Sequence, residues 1–128
     1  MPFRDGSTMR RFIIEFGSGV DLHGMDSTKA AVKAVKDAVS HCCLCGLSEV
    51  LDKDEKVHLG VVIGVPGHEE VDADAVRAAL PVPEMCSGID IREGGLRAKG
   101  LHVEALGKGD CLIIANAVIT VYVGEQVS

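Results

Sequence analysis

The sequence predicts an α/β (α+β) domain with a mixed sheet, and three observations lead to this class. An alternating strand pattern at residues 11–16 runs through a glycine-broken loop into an alanine-rich helix pattern that begins near Ser27. A near-continuous apolar run follows at 57–65, and the second half contains short alternating runs that end in the uncharged stretch 111–123. A strand, a helix and a strand at this spacing form a right-handed βαβ crossover in nearly all known cases, so we expect the first two strands to be parallel.

The length and composition of the chain indicate one globular domain. Its 128 residues are 47% hydrophobic and 25% charged, a balance that is ordinary for a folded protein and argues against disorder. We expect a loose N-terminal tail over residues 1–9, which lack hydrophobic periodicity, and a single domain over residues 10–128. No run reaches the ~18 apolar residues of a membrane span, and the N-terminus has no apolar signal-peptide core.

Charge and aromatic content exclude two classes of partner. The formal net charge is −6 and only 3% of the residues are aromatic. Nucleic acids and anionic membranes bind mainly to basic surfaces, and RNA and single-strand binders use aromatic side chains for stacking, so we predict no nucleic-acid and no membrane partner. The five cysteines are an odd number with three crowded at 42–45, which favours reduced thiols and a cytoplasmic location.

Side-chain spacing predicts the first strand and the helix that follows it. Every second residue from Phe12 to Phe16 is apolar, which gives a strand that is apolar on one side and mixed on the other. A helix is expected over Ser27–Leu44, with Asp26 or Ser27 as its N-terminal cap. Its predicted buried stripe consists of Ala31, Val35, Ala38, Val39 and Cys42.

The run at 57–65 predicts a second strand that is covered on both faces. Its odd-numbered residues share one face, and Gly60, Val62 and Gly64 share the other. We expect the alanine-rich helix to approach this glycine-containing face closely. A short helix is then predicted over Ala73–Leu80.

The second half of the chain is predicted to be rich in strands. Short alternating runs occur at Ser87–Arg92 and Leu101–Leu106, and Gly107–Asp110 is expected to turn the chain into the last strand of a C-terminal β-hairpin. The last strand, at 111–123, has no charged residue and is apolar on both faces. Helices can cover one of these faces, so we expect another subunit on the other and predict a homo-oligomer.

The loop between the first strand and the helix is the leading candidate site. If the first two strands are parallel neighbours, their carboxyl ends bring Asp21 and His23 toward His68 and Glu69. Such a cluster can act as an acid–base pair, with His23 as the catalytic group oriented by Asp21, or it can ligate a divalent metal. The alternative is that each histidine bonds a loop carbonyl and each acid stays solvated.

The start of the predicted helix extends this candidate site. Free amides near Ser27 and Thr28 can bind a carboxylate or phosphate, unless Asp26 fills them as an ordinary cap. The loop is not a phosphate-binding P-loop: Gly19 and Gly24 have the required spacing, but Met25 stands where the motif has a lysine. It is not a dinucleotide fingerprint either, because Leu22 stands where the third glycine would follow Gly17 and Gly19. The candidate ligand-binding residues in this region are Ser18, Gly19, Asp26, Ser27, Thr28 and Lys29.

Two further features carry weaker expectations. Arg97 lies close to Gly94–Gly95, and this glycine-rich bend is either a cradle for an anionic group across a subunit boundary or an ordinary surface loop. The Cys42-x-x-Cys45 spacing lies at a helix C-terminus, where the helix dipole disfavours a thiolate. We therefore expect Cys42 to pack as a small hydrophobic residue, and we do not expect redox or zinc chemistry at these cysteines.

The strand-to-helix region also resembles a known pattern. Residues Phe16–Val35 read Phe-Gly-x-Gly-x-Asp-Leu-His-Gly-x-Asp-x-Thr-Lys-Ala-Ala-x-x-Ala-Val. This stretch resembles the signature of a family of short conserved hypothetical proteins of unassigned function, and the resemblance implies no particular activity or cofactor. The order of the elements resembles the trimeric chorismate-mutase-like architectures, which implies a trimer, or a multiple of it, with clefts between its subunits.

These observations lead to one functional expectation and two alternatives. We expect a small-molecule site near the Gly17–Asp26 loop, at a subunit interface. This site binds a small anionic metabolite, and it also converts that metabolite if the protein is an enzyme. A non-catalytic oligomeric scaffold is the first alternative, and a divalent-metal-binding protein is the second. The sequence identifies neither a cofactor nor a substrate.

Overall fold

The fold is built around the long strand near the C-terminus. The computed structural model describes residues 9–41, 56–107 and 109–124, and within these ranges the chain forms five strands and two α-helices. The strands are β1 (Arg10–Asp21), β2 (Lys56–Gly64), β3 (Cys86–Arg92), β4 (Leu96–Lys99) and β5 (Cys111–Gly124). The helices are α1 (Ser27–Ser40) and α2 (Ala73–Ala78), with 3-10 turns at His68–Glu70 and Pro83–Met85.

The sheet is mixed, as predicted, but its first two strands are not neighbours. The strand order is β1-β5-β2-β3, and β4 also pairs with β5. Strand β5 is antiparallel to β1, β2 and β4, whereas β2 and β3 are parallel. The predicted adjacency of the first two strands is therefore wrong: β1 and β2 run in the same direction with β5 between them. The uncharged β5 fits this inner position because it has sheet partners along both edges.

Helix α1 begins where its sequence predicts, and part of its predicted buried stripe lies in the core. The Asp26 carboxylate caps it by accepting a hydrogen bond from the backbone N–H of Lys29 at 3.0 Å. The helix ends at Ser40, and the residues of the predicted helix beyond His41, including Cys42, lie outside the described residues. Its fully buried residues are Ala30, Ala31, Ala34, Val35 and Ala38, whereas Val39 of the predicted stripe is only partly buried.

The face of the sheet under α1 differs from the one we predicted. The helix lies against the small residues Gly17 and Gly19 of β1, which pair in register with Ala117 and Ala115 of β5. A side chain at Gly17 would come within 2.7 Å of the carbonyl oxygen of Ala34, so the helix and strand backbones are almost in contact. The glycines of β2 lie on the opposite face, because the residues of β2 that face the core are the large odd-numbered ones.

The remaining elements combine confirmed and corrected predictions. Helix α2 is capped by Asp72 and lies within the predicted Ala73–Leu80 range. The C-terminal hairpin is present, but its first strand is Leu96–Lys99, and the predicted strand at Leu101–Leu106 is a loop with a turn. In the part of the chain that the structure describes, no helix is both long and apolar enough to cross a membrane.

The two faces of the sheet are covered unequally. Both helices bury their apolar residues in one core on the odd-numbered side of β2 and β5. No described element packs on the other side, which we call the open face. Its exposed apolar side chains come from three adjacent strands, and their exposed fractions are 42% for Phe12, 56% for Ile14, 75% for Phe16, 38% for Val62 and 39% for Val118.

Candidate functional site

The acids of the β1–α1 loop hold its backbone in place. Asp21, which is 5% exposed, accepts a hydrogen bond from the backbone N–H of Asp26 through Oδ2 at 2.7 Å. Asp26 in turn caps α1. This is the ordinary helix cap that the sequence analysis gives as the alternative to a ligand-binding role. Met25 between them has a φ of 51°, a left-handed conformation that makes this a sharp corner. Both carboxylates therefore have a structural task at this corner.

His23 is held by a segment that the sequence did not connect with it. Its backbone carbonyl accepts a hydrogen bond from the N–H of Gly109 at 3.0 Å, and a side chain at Gly107 would overlap this carbonyl. The sequence predicts that the Asp21 carboxylate orients the His23 ring. Within the described residues this carboxylate instead accepts its hydrogen bond from the Asp26 backbone, and no bond joins it to His23. The ring Nδ1 of His23 is shielded from solvent and has no hydrogen-bond partner in the described part of the chain.

The hydroxyl groups at the start of α1 tie the helix to the connection after β2. Ser27 donates a hydrogen bond to the carbonyl of Pro66 at 2.6 Å, and this bond is buried. Thr28 Oγ1 accepts from the N–H of Asp72 at 3.0 Å and donates to the carbonyl of Glu70 at 3.4 Å. These predicted ligand-binding residues therefore serve the packing of the fold.

The other predicted ligand-binding residues of this region are dispersed. The N–H of Ser18 donates to the carboxylate of Asp37 on α1 at 2.9 Å, which covers part of the β1 edge. Gly19 lies under the helix, where a side chain would come within 2.6 Å of the Cβ of Lys33. Lys29 is exposed on the helix surface.

His68 forms a cluster with Glu93, which the sequence did not predict. The Glu93 carboxylate accepts hydrogen bonds from the N–H of Gly67 at 3.2 Å, from the N–H of His68 at 3.4 Å and from the His68 ring Nδ1 at 2.8 Å. Gly67 has a φ of 72°, which glycine adopts without strain. We call this arrangement the Glu93 clasp. It closes the loop after β2 onto the loop after β3, whereas Glu69 is exposed beside it.

The Glu93 clasp gives a pH-dependent prediction. The His68 side-chain hydrogen bond and then the bonds from the loop backbone lower the pKa of Glu93 from its ordinary value of 4.5. A lowered folded-state pKa stabilises the fold above the unfolded-state pKa, and this stabilisation is lost as the pH falls through the folded-state pKa. We expect Glu93→Gln to be less stable than the wild type near pH 7. The difference in free energy of unfolding, measured by urea denaturation, should shrink below about pH 4.5. A pH-independent difference would contradict the clasp.

Arg97 does not join a cationic cradle. It is exposed on β4, in register with Ile113, while Arg92 forms an ion pair with Asp90 on β3. The bend at Gly94–Gly95 instead packs on the end of β2, since a side chain at Gly94 would lie 3.1 Å from the Cα of Gly64. The bend is therefore a structural crossover from β3 to the edge of β5.

The described residues offer no evident metal centre. Within 9–41, 56–107 and 109–124, no group of three or more His, Cys, Asp or Glu side chains could hold a metal ion. Cys86 and Cys111 are free thiols, and a hydrogen bond to Asp110 is the main cause that raises the pKa of Cys111. The cysteines at 42, 43 and 45 lie outside the described residues. The metal-binding alternative gains no support from these ranges.

A depression in the open face is the feature that sequence reasoning missed. Gly60 of β2 and Gly88 of β3 pair in register, and the absence of side chains at both leaves a cavity of about 360 Å³. Val62, Thr120 and Tyr122 contribute to its lining, and we call it the hollow. The sequence does carry a signal for this hollow. Gly60 and Gly88 are both even-numbered, and the odd-numbered residues of their strands lie in the core or pack against it, so the two glycines fall on the same open face.

The fold and these sites together define a class of protein. It is an α+β protein whose mixed sheet carries helices on one face and an exposed apolar surface on the other, with the β1–α1 loop acting as a structural junction. The model of the Lin0512 family of conserved hypothetical proteins matches residues 11–121, and the chain belongs to this family. The predicted membership of a conserved hypothetical family is thereby confirmed.

One similar solved structure is that of an FtsZ-like protein of unknown function from Nostoc punctiforme. It shares 33% sequence identity with this chain over 94% of this chain and 100% of its own, with a TM-score of 0.80. No curated protein matches the chain. The comparisons therefore define a family and a fold, and they leave the activity to be inferred from the surfaces of the molecule.

Proposed function

We propose that this protein is a cytoplasmic self-assembling module in which the open face of one copy packs against another copy. The exposed apolar side chains of β1, β2 and β5 on one side of the sheet carry this proposal. Packing of this face on a second sheet would remove Phe16, which is 75% exposed, from water. Burial of a phenylalanine side chain contributes about 1.5–3 kcal/mol, so a few such residues can hold an oligomer together.

The size of the open face supports an interface between folded chains. Four strands at ~4.8 Å spacing and about nine residues at ~3.3 Å each give a flat area on the order of 500 Å². Two such faces packed on each other bury on the order of 1,000 Å² in total, about the minimum for a specific interface. We propose a dimer as the unit that forms through this face. The trimer, or multiple of it, that the resemblance to chorismate-mutase-like architectures implies stays a prediction, and the mass in solution distinguishes the two. We favour the oligomeric scaffold over a ligand site at the start of α1, because the polar side chains there already have partners within the fold. These side chains are the hydroxyls of Ser27 and Thr28 and the carboxylates of Asp21 and Asp26.

Sedimentation of the purified chain tests this proposal. The monomer mass is 13.5 kDa, and we expect a multiple of this mass that falls on dilution. Phe16→Ser should shift the equilibrium toward monomer at least tenfold. The matched control is Leu101→Ser, which removes a similarly exposed apolar side chain, 73% exposed, from a loop and should leave the mass unchanged. A wild-type chain that stays at 13.5 kDa at every concentration would refute the proposal.

A ligand site at the β1–α1 loop is a second candidate, and one observation favours it. The shielded Nδ1 of His23 has no hydrogen-bond partner among the described residues, and a buried polar atom without a partner is costly unless a ligand or water meets it. A small anionic metabolite that hydrogen-bonds to this nitrogen would satisfy it, with His23 as the acid–base or ligand group. We expect a carboxylate or phosphate ester in a thermal-shift panel to raise the wild-type Tm and to leave that of His23→Ala unchanged. If no compound does so, this candidate fails.

A further inference from the structure

The open face has two unlike ends. Along β1 the side chains of Phe12, Ile14 and Phe16 project from the sheet, and we call these three residues the ridge. Across β5, at β2 and β3, the same face recedes into the hollow above Gly60 and Gly88. We propose that the ridge of one copy seats in the hollow of another copy. This inference rests on the proposed function and specifies how its interface is formed.

The chemistry of the hollow favours an apolar side chain as its occupant. Its floor is sheet backbone, and the residues there pair with β3 on one side and β5 on the other, so the floor offers few free polar groups. The charged groups of its lining, Asp90 and Arg92, form an ion pair with each other. Asp90 balances the charge of Arg92, so the lining offers no net positive charge to a small anion, whereas an aromatic or aliphatic side chain needs only the apolar surface.

The position of the ridge indicates a second copy as its source. No ridge residue lines the hollow of its own chain. Ile14 and Phe16 pair in register with Thr120 and Val118 of β5, and Thr120 lines the hollow, so these two side chains lie on the side to which the hollow opens. A single chain therefore cannot fill its own hollow without losing the β1–β5 pairing. Two chains that face each other can place ridge on hollow, since packed sheets lie about 10 Å apart with interdigitating side chains.

Charges next to the two surfaces are compatible with this contact. Arg11 precedes the ridge and is exposed, and Asp90 belongs to the lining of the hollow and is also exposed. Arg92 balances the charge of Asp90 within that lining, so Arg11 meets no unbalanced charge there, and charges at the margin of an interface add little affinity. We therefore assign the affinity to the apolar ridge.

Two complementary variants test the inference. The first, Ile14→Ser with Phe16→Ser, removes the two ridge residues whose register places them on the open face and keeps the hollow. The second, Gly60→Val with Gly88→Val, fills the hollow and keeps the ridge. Neither glycine has a positive φ, so valine, which favours strands, fits the backbone at both positions. Gly88→Val alone is the reserve variant if the double substitution does not fold, as judged by circular dichroism and cooperative thermal unfolding.

We expect each variant alone to self-associate at least tenfold more weakly than the wild type. An equimolar mixture should form dimers of one chain of each kind, because one intact ridge and one intact hollow remain. Sedimentation with a fluorescent label on one variant measures this mixed species. If the filled variant assembles like the wild type, or if the mixture forms no dimers, the ridge-in-hollow contact is wrong. The proposed function fails only if the wild type is itself monomeric, so the two failures can be told apart.

Discussion

Replacing Gly17 with alanine is expected to cost at least about 3 kcal/mol of the free energy of unfolding, near the upper end of overpacking effects. The new Cβ would lie 2.7 Å from the carbonyl oxygen of Ala34 and 2.8 Å from the Cα of Ala38. Both are backbone atoms that cannot rotate away, so α1 would have to move off the sheet. This movement would open the contact at the buried alanines of the helix.

Urea denaturation followed by circular dichroism measures this effect. The matched control is Gly100→Ala, where the new Cβ would meet only the carbonyl oxygen of Asp110 at 3.7 Å and the nitrogen of Leu112 at 3.8 Å. We expect the control to change the stability by no more than about 1 kcal/mol. Equal losses in the two variants would show that helix α1 is not as close to β1 as the structure places it.

Gly95→Ala is expected to have the second-largest effect, a loss of about 2–4 kcal/mol. Gly95 has a φ of 66°, so alanine pays the cost of a left-handed backbone. Its Cβ would also overlap the carbonyl oxygen of Ile114 and lie 3.1 Å from the Cδ of Pro66 and 3.2 Å from the carbonyl oxygen of Gly64. The bend must then lift from the ends of β2 and β5, and β4 loses its register.

Gly95→Asn separates the two causes of this loss. Asparagine tolerates the left-handed region better than alanine, so it relieves the backbone strain and leaves the steric overlap. We expect Gly95→Asn to remain less stable than the wild type in urea denaturation. Hydrogen exchange of the β4 amides should increase in both variants. Full recovery of stability by asparagine would show that the overlap with Ile114 is relieved at little cost.

Local elements of the fold could be predicted from the sequence because their signals are local. The cap at Asp26, the buried alanines of α1 and the grouping of the odd-numbered residues of β2 on one face all follow from the spacing of neighbouring residues. The strand order could not be predicted, because β5 reaches its place between β1 and β2 through pairings with residues 52 to 113 positions away. Periodicity also distinguishes the two faces of a strand without saying which one the helix covers.

The candidate site was only partly predictable for the same reason. The sequence located a polar junction at the β1–α1 loop, and the structure contains one. The partners of its hydroxyls lie far along the chain: Ser27 bonds Pro66 and Thr28 bonds Asp72. His68 likewise pairs with Glu93, a residue to which no spacing rule pointed. Side chains that look available in a sequence were thus already engaged within the fold.

The close contact between α1 and β1 also changes the meaning of the signature. Gly17 and Gly19 are the first two glycines of the family-like pattern, and both lie where any side chain would meet the helix backbone. Their presence in that pattern is explained by steric fit without recourse to a ligand. Comparative work on this family should therefore treat the two glycines as markers of the fold, and should look for differences in function among the residues that remain free to vary on the uncovered side of the sheet.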